Sequence, residues 1–230
     1  MGLGDDLKKE VRDILRTNWK SRDGRTVPDA EDVRLGNDAV KLDAAVLYAD
    51  MDGSTKLVDN YKDWFAAEVY KSYLHCAAKI IRAEGGHIRS YDGDRVMGIF
   101  IGDSKCSDAA RCGLKIHYAV EKIINPAIAK EYPKSPYEVK QVVGIDASKL
   151  FAARTGIRGS NDLVWVGRAA NYAAKLTELS SSYPTWITKA VYNKLNEKSK
   201  YSKGKDMWES RSWTAMDGKT IYRSSYWWKV

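Results

Sequence analysis

Two short apolar runs, each ending at an aspartate beside a glycine, constrain this chain more than any other feature. The first, Val46-Leu47-Tyr48-Ala49, leads into Asp50 and then Asp52-Gly53-Ser54-Thr55. The second passes through Ile88 and Tyr91 to Asp92-Gly93-Asp94 and continues as Val96-Met97-Gly98-Ile99-Phe100. β-Branched and aromatic residues favour strands, and Asp-Gly is a strong two-residue turn signal. Residues 44–49 therefore read as a buried strand, and residues 88–100 as a hairpin turning at Asp92-Gly93. A hairpin tip set beside a strand end brings Asp50 and Asp94 together. Two carboxylates at one spot repel unless a cation lies between them. An oxygen-only donor set suits Mg²⁺ or Mn²⁺. One Asp-Gly turn alone is commonplace; two such strand ends with a helical stretch between them point to a site.

The rest of the composition narrows the class. With 44% hydrophobic residues in 230, the chain can bury the core of one α/β domain, and 30% charged with 11% aromatic residues excludes a disordered chain. The net charge of +8 suits a polyanionic partner such as a nucleoside triphosphate, nucleic acid or an acidic membrane, or else a solvated basic surface. Three scattered cysteines without a CxxC read as reduced thiols in the cytosol, and the three histidines form no zinc spacing with them. The start MGLGDDLKKEV carries acidic charge and no apolar centre, so no signal peptide is expected. No apolar run reaches 18 residues, so no membrane span is expected. No signature of an RNA- or DNA-binding module accompanies the positive charge, so a nucleic-acid partner is not expected.

Taken in order, residues 5–20 read as an amphipathic helix, with Leu7, Val11, Ile14, Leu15 and Trp19 on the face that packs on the domain or on a partner chain. Residues 21–43 read as an extended connection, so residues 1–40 form a lead and 41–230 the domain. After the first strand, a helix begins at Ser54 and runs to Gly85-Gly86. Residues 108–124 form the next helix, and Pro126, Pro133 and Pro136 break helix beyond it. Residues 139–146 alternate as a strand, 148–160 read as a polar loop or short strand pair, and 162–166 as another strand. Gly167 opens a helix over 168–179. Residues 185–188 form a short strand whose Thr188 caps a helix over 189–195. Residues 196–205 are a basic loop, and the aromatic C-terminus is strand-like with a turn at Asp217-Gly218, its tryptophans covering a sheet edge. This alternation is that of an α/β layer structure.

Four blocks in this order, ADMDGST, GGHIRSYDGDRVMGIF, VVGID and VWVGRAANYAAKL, resemble the catalytic domain of class III nucleotidyl cyclases over roughly residues 41–191. The resemblance implies a ferredoxin-like palm, a mixed sheet flanked by helices, in a head-to-tail homodimer with its active sites at the interface. It implies that Asp50 and Asp94 bind two divalent cations, Mn²⁺ or Mg²⁺, with the Met51 carbonyl as a further ligand. Gly53, Ser54 and Thr55 would then donate to the substrate phosphates at a helix N-terminus, a role the positive end of a helix also favours. Asn171 matches the family's ribose-orienting asparagine, and Lys175 stands where the family has a transition-state arginine. Four residues apart, these two share one helix face.

The departures from the family direct the substrate expectation. Ser90 and Val164 replace the lysine and aspartate that read adenine, so neither purine reader is present. A short chain with a long lead and YDGDRVMG resembles the bacterial pyrimidine cyclases of the Pycsar anti-phage system, whose cyclic UMP or cyclic CMP is read by a separate effector. UTP is the favoured substrate, ahead of CTP. Adenylate cyclase activity and a silent nucleotide-binding domain are the alternatives. Lysine keeps the charge of arginine at 175 but loses its fork, so Arg154, Arg158 or Arg168 is expected to supply what is missing. Tyr48, on the side of Asp50, either lines the nucleotide pocket or fills core. Trp165 is either core or a base-stacking ring, and Arg95 is a pocket reader or a plain surface pair.

Overall fold

A computed structural model describes residues 2–230. Its frame is a pair of long antiparallel strands, β2 (Asp38–Asp52) and β5 (Lys140–Ile157), in register from Ala39↔Ala153 to Asp52↔Lys140. Before them come α1 (Leu3–Arg16) and β1 (Lys20–Asp23), and β1 pairs in parallel with the start of β2. Between them lie α2 (Ser54–Asn60), α3 (Asp63–Ala83), the hairpin β3 (His87–Asp92) and β4 (Arg95–Phe100), then α4 (Lys105–Ala119) and α5 (Asn125–Glu131). After them come β6 (Ser160–Val166), α6 (Arg168–Leu176), β7 (Thr185–Thr188), α7 (Lys189–Tyr192), α8 (Glu197–Lys200), β8 (Tyr201–Ser202) and β9 (Lys205–Asp206). The hairpin β10 (Glu209–Trp213) and β11 (Lys219–Ser224) ends the fold. The main sheet runs β10-β11-β7-β5-β2-β4-β3, with β6 paired to the far end of β5. It is mixed, because β7 joins β5 in parallel.

Alternation along β2 fixes which helices cover which face. Ala45, Leu47, Ala49 and Met51 are buried under α3 and α4 together with Tyr73, Val96 and Ile145. Ala44 and Val46 face the other way and are buried with Ala169, Ala170 and Ala173 of α6. Gly144 sets how near α6 can come. A Cβ there would lie 2.2 Å from the Ala173 carbonyl oxygen and 2.8 Å from the Leu176 Cβ, so only glycine allows this approach.

The mixed sheet between helices is as expected, with several local differences. The first strand begins at Asp38, so the division at residue 40 falls inside β2, and part of the supposed extended lead is β1. The apolar side chains of α1 are exposed on the chain, Leu15 at 80%, instead of packing on the domain. The single helix expected from Ser54 is two, broken where Tyr61 turns in to stack on Phe65 at 5.2 Å. Pro126 does not end the helical run: a π turn over Val120–Ile124 re-registers it, and Pro126 enters the first turn of α5, where its missing N–H is no loss. The polar stretch 148–160 is not a loop but the second half of β5 and the turn into β6. Its polar residues sit on a strand paired on both sides, where polarity marks solvent faces rather than irregular backbone. Thr188 does not cap α7; its hydroxyl donates to Asp146. The basic loop 196–205 contains α8 and the small pair β8–β9. The turn at Asp217-Gly218 is as expected, both residues having positive φ. The C-terminal tryptophans do more than cover an edge: Trp208 and Trp213 are buried, and Trp227 packs on Tyr118 of α4.

Candidate functional site

The end of β2 and the tip of the β3–β4 hairpin form the site. Asp50 pairs across the ladder with Arg95, so Asp94, the residue before it, lies beside the strand end. The two-residue loop is Gly93-Asp94, not Asp92-Gly93 as the dipeptide suggested, because Asp92 and Arg95 are already paired. Gly93 takes φ +60°. Glycine with positive φ at the first loop position is the type II′ arrangement, and it hands Asp94 to the site. Asp92 forms an ion pair with Arg95 at 2.8 Å instead.

The two carboxylates feel each other. Burial first, and the Asp94 charge second, push the Asp50 carboxyl up to about 6, against the pull of Arg95 and a hydrogen bond from Thr177. The Thr177 hydroxyl, at the end of α6, donates to Asp50 Oδ2 at 3.3 Å. Oδ2 of Asp94 is buried and makes no hydrogen bond among the described residues. A buried, unpaired carboxylate oxygen next to a second carboxylate is the donor set a hard cation completes, so the residues present fit a divalent ion. No cluster of three His, Cys, Asp or Glu forms among the described residues. Two carboxylates and a backbone carbonyl leave most of an octahedral shell to phosphate oxygens and water, which is how Mg²⁺ is usually held.

Gly53 follows at φ +77° and Ser54 opens α2, so Gly53, Ser54 and Thr55 stand directly beyond Asp50 and Met51. The side chain of Met51 is buried under α3. On the α6 face, Tyr48, Met97 and Ser90 form a row across β2, β4 and β3, since Tyr48 and Ser90 both pair with Met97. A row of partners puts the three side chains on one face, the face of Asp50. The Arg95 guanidinium lies 5.1 Å above the Tyr48 ring, so Arg95 is more than a surface pair.

The remaining expected residues sit elsewhere on the chain. Val164 pairs with Ala153, which pairs with Ala39, eleven residues up β2 from Asp50. That is about 35 Å of strand. Val164 is 40% exposed, and Trp165 is buried in the α6-side core. Asn171 and Lys175 both lie exposed on the outer face of α6; Asn171 is not the buried asparagine its small-residue helix suggested. Lys175 Nζ lies 3.7 Å from Met216 Sδ. One chain thus carries two half-sets: Asp50, Met51, Asp94, Gly53, Ser54, Thr55, Tyr48 and Ser90 at one place, and Asn171, Lys175, Val164 and Trp165 at others.

Two of the three arginines expected to support Lys175 are engaged. Arg154 donates to Asn161 at 2.6 Å. Arg168 donates to both oxygens of Asp146 at 2.9 and 3.2 Å and to the Ala147 carbonyl at 2.7 Å. Asp146 is fully buried and also accepts from Thr188, so this cluster ties β5, α6 and β7 together. Its place is visible only in the fold, because 22 and 42 residues separate the partners. Arg168→Ala strands the buried carboxylate and should destabilise the protein by about 3 kcal/mol, read by urea denaturation, whereas a change within 0.5 kcal/mol would show the pair to be structurally idle.

Comparison with known proteins agrees with this geometry. No family model matches the chain. A uridylate cyclase of Xanthomonas perforans is 53% identical over the whole of both chains, and one of Burkholderia cepacia is 54% identical over the same extent. The chain belongs to the uridylate cyclases. Its fold is that of larger-purine relatives as well. The guanylyl cyclase Cya2 superposes with a TM-score of 0.69 at 15% identity, covering 82% of this chain and 94% of that one. The adenylyl cyclase CyaB from P. aeruginosa gives 0.69 at 19% identity, covering 81% and 95%. At these identities the purine enzymes establish the fold alone, while the uridylate cyclases match from end to end.

Proposed function

We propose that this uridylate cyclase family member closes UTP to 3′,5′-cyclic UMP and releases pyrophosphate, the product acting as a messenger in anti-phage defence that a separate effector reads. The observation that carries this reading is the full-length identity to two proteins named uridylate cyclase. The retained Asp50 and Asp94 favour catalysis over a silent nucleotide-binding role. Asp50, Asp94 and the Met51 carbonyl would hold two divalent cations, Mn²⁺ or Mg²⁺. Such ions, when bound, neutralise the triphosphate and lower the pKa of the ribose 3′-hydroxyl.

The protein's own groups do the rest. Gly53, Ser54 and Thr55 offer donors to the phosphates beside the carboxylates. Asn171 orients the ribose, and Lys175 offers positive charge to the developing pentacoordinate phosphorus, both from the second chain of a homodimer. The 3′-oxygen bonds to the α-phosphorus as the bond to pyrophosphate breaks, and the hydroxyl proton leaves to solvent. Tyr48 and Ser90 line the near wall of the base pocket. Ser90 can donate and accept, whereas Val164 offers only apolar contact, so strong base choice needs polar readers beyond these two. The chain has no helix long and apolar enough to cross a membrane among the described residues, and a cytoplasmic enzyme is the reading in keeping with that.

Competition decides the substrate. With all four nucleoside triphosphates at equal concentration and Mn²⁺ present, mass spectrometry should find cyclic UMP as the main product. Cyclic CMP would change only the choice of pyrimidine, and cyclic AMP or cyclic GMP would overturn the reading.

A further inference from the structure

We propose that Tyr73 is a positioning residue for the Asp94 carboxylate: its phenolic hydroxyl donates, directly or through one buried water, to the oxygen of Asp94 that has no partner. The proposal rests on the reading of Asp50 and Asp94 as cation ligands.

Tyr73 lies in the middle of α3, is 0% exposed, and its hydroxyl makes no hydrogen bond among the described residues. A phenol this deeply buried normally finds an acceptor for its proton. Its ring packs in the core that contains Ala49, Met51 and Val96, the core beneath the end of β2 and the start of β4. Asp94 precedes Val96 by two residues, which places it toward that same face, the α3 side. Asp50 belongs to the opposite face, with Thr177 as its donor. Each carboxylate thus has a hydroxyl on its own side of the sheet, Thr177 for Asp50 and Tyr73 for Asp94. Burial foremost, then the charges of Asp50 and Asp94, keep the Tyr73 phenol protonated, so it is a donor facing two acceptors. The two unpaired atoms, Tyr73 Oη and Asp94 Oδ2, are complementary: one must donate and the other can only accept.

The rival acceptor is Gln141, which pairs with Met51 across the β5–β2 ladder and whose buried amide also lacks partners. An amide both donates and accepts, so two such groups in one core can satisfy each other without a carboxylate. That rival predicts a different experiment outcome.

The test is Tyr73→Phe, which removes one oxygen and keeps the ring. Mn²⁺ binding is followed by electron paramagnetic resonance with 3′-deoxy-UTP, which cannot cyclise. Outer hydrogen bonds to metal ligands typically change affinity by about 10–100-fold, so Mn²⁺ should bind about 10–100-fold more weakly. The Mn²⁺ concentration for half-maximal activity should rise in step, kcat at saturating Mn²⁺ should stay within a few-fold, and the metal-free Tm should hold or rise. Mn²⁺ affinity within about twofold of wild type overturns the proposal, as does an equal loss in Gln141→Leu. Asp94→Asn separates the two layers. If it binds Mn²⁺ normally, the cation reading itself fails; if it loses Mn²⁺ while Tyr73→Phe does not, only the role of Tyr73 fails.

Discussion

Asp50→Ala and Asp94→Ala should each lower cyclase turnover by about 10³-fold or more, because each removes a charge that has no substitute in the site. The fold should survive. In the metal-free protein these carboxylates oppose folding, since Asp50 is held up to about 6 by burial and by Asp94. The sign follows from that shift. A carboxyl whose folded pKa is raised above its ordinary value near 3.8 stabilises the protein below that value, and the contribution is lost as pH rises through about 6. Metal-free wild type should therefore gain stability as pH falls from 7 toward 4, and Asp50→Ala should flatten that gain and melt higher than wild type at pH 7. Saturating Mn²⁺ should raise the wild-type Tm and leave both variants unmoved. Activity near wild type in either variant, or a Tm of Asp50→Ala below wild type at pH 7 with no Mn²⁺ present, would remove the paired-carboxylate account.

The parts of this fold that were legible in the sequence are those where local chemistry and tertiary role coincide. Val46 to Asp50 is apolar because it is buried and ends in charge because it stops at the site. Gly93 and Gly53 mark turns because their φ is positive. The second half of β5 was illegible for the reverse reason: Ser148, Lys149, Arg154 and Arg158 are polar like a loop, and only pairing with β2 and β6 makes them a strand. The turn at Gly93-Asp94 was misplaced by one residue, since Asp-Gly and Gly-Asp overlap in DGD and only the Asp92–Arg95 pairing separates them. Thr177, Arg168 and Tyr73 carried no local signal. Thr177 lies 127 residues from Asp50, and a hydroxyl in a helix has many ordinary reasons to be there.

The division of the site between two places on one chain leads to the other large effect. Asp50 and Asp94 sit at one end of β2, whereas Val164 stands about 35 Å of strand away and Asn171 and Lys175 face outward on α6. An outward-facing asparagine cannot serve a ribose held by its own chain's Asp50 without α6 turning over, and Gly144 and the Arg168–Asp146 pair fix α6 as it stands. Two chains related by a two-fold axis, each offering its outer α6 face to the other's carboxylates, complete two equal sites. Asp50→Ala and Asn171→Ala should each be nearly inactive alone. Mixed in equal amounts and allowed to exchange subunits, they should recover about one quarter of wild-type activity, because about half the dimers are mixed and each of those has one intact site. The recovered activity should rise and fall with the fraction of mixed dimers, measured by native mass spectrometry on chains of different tag mass. Mixed dimers that form but stay inactive would show that each chain builds its site alone.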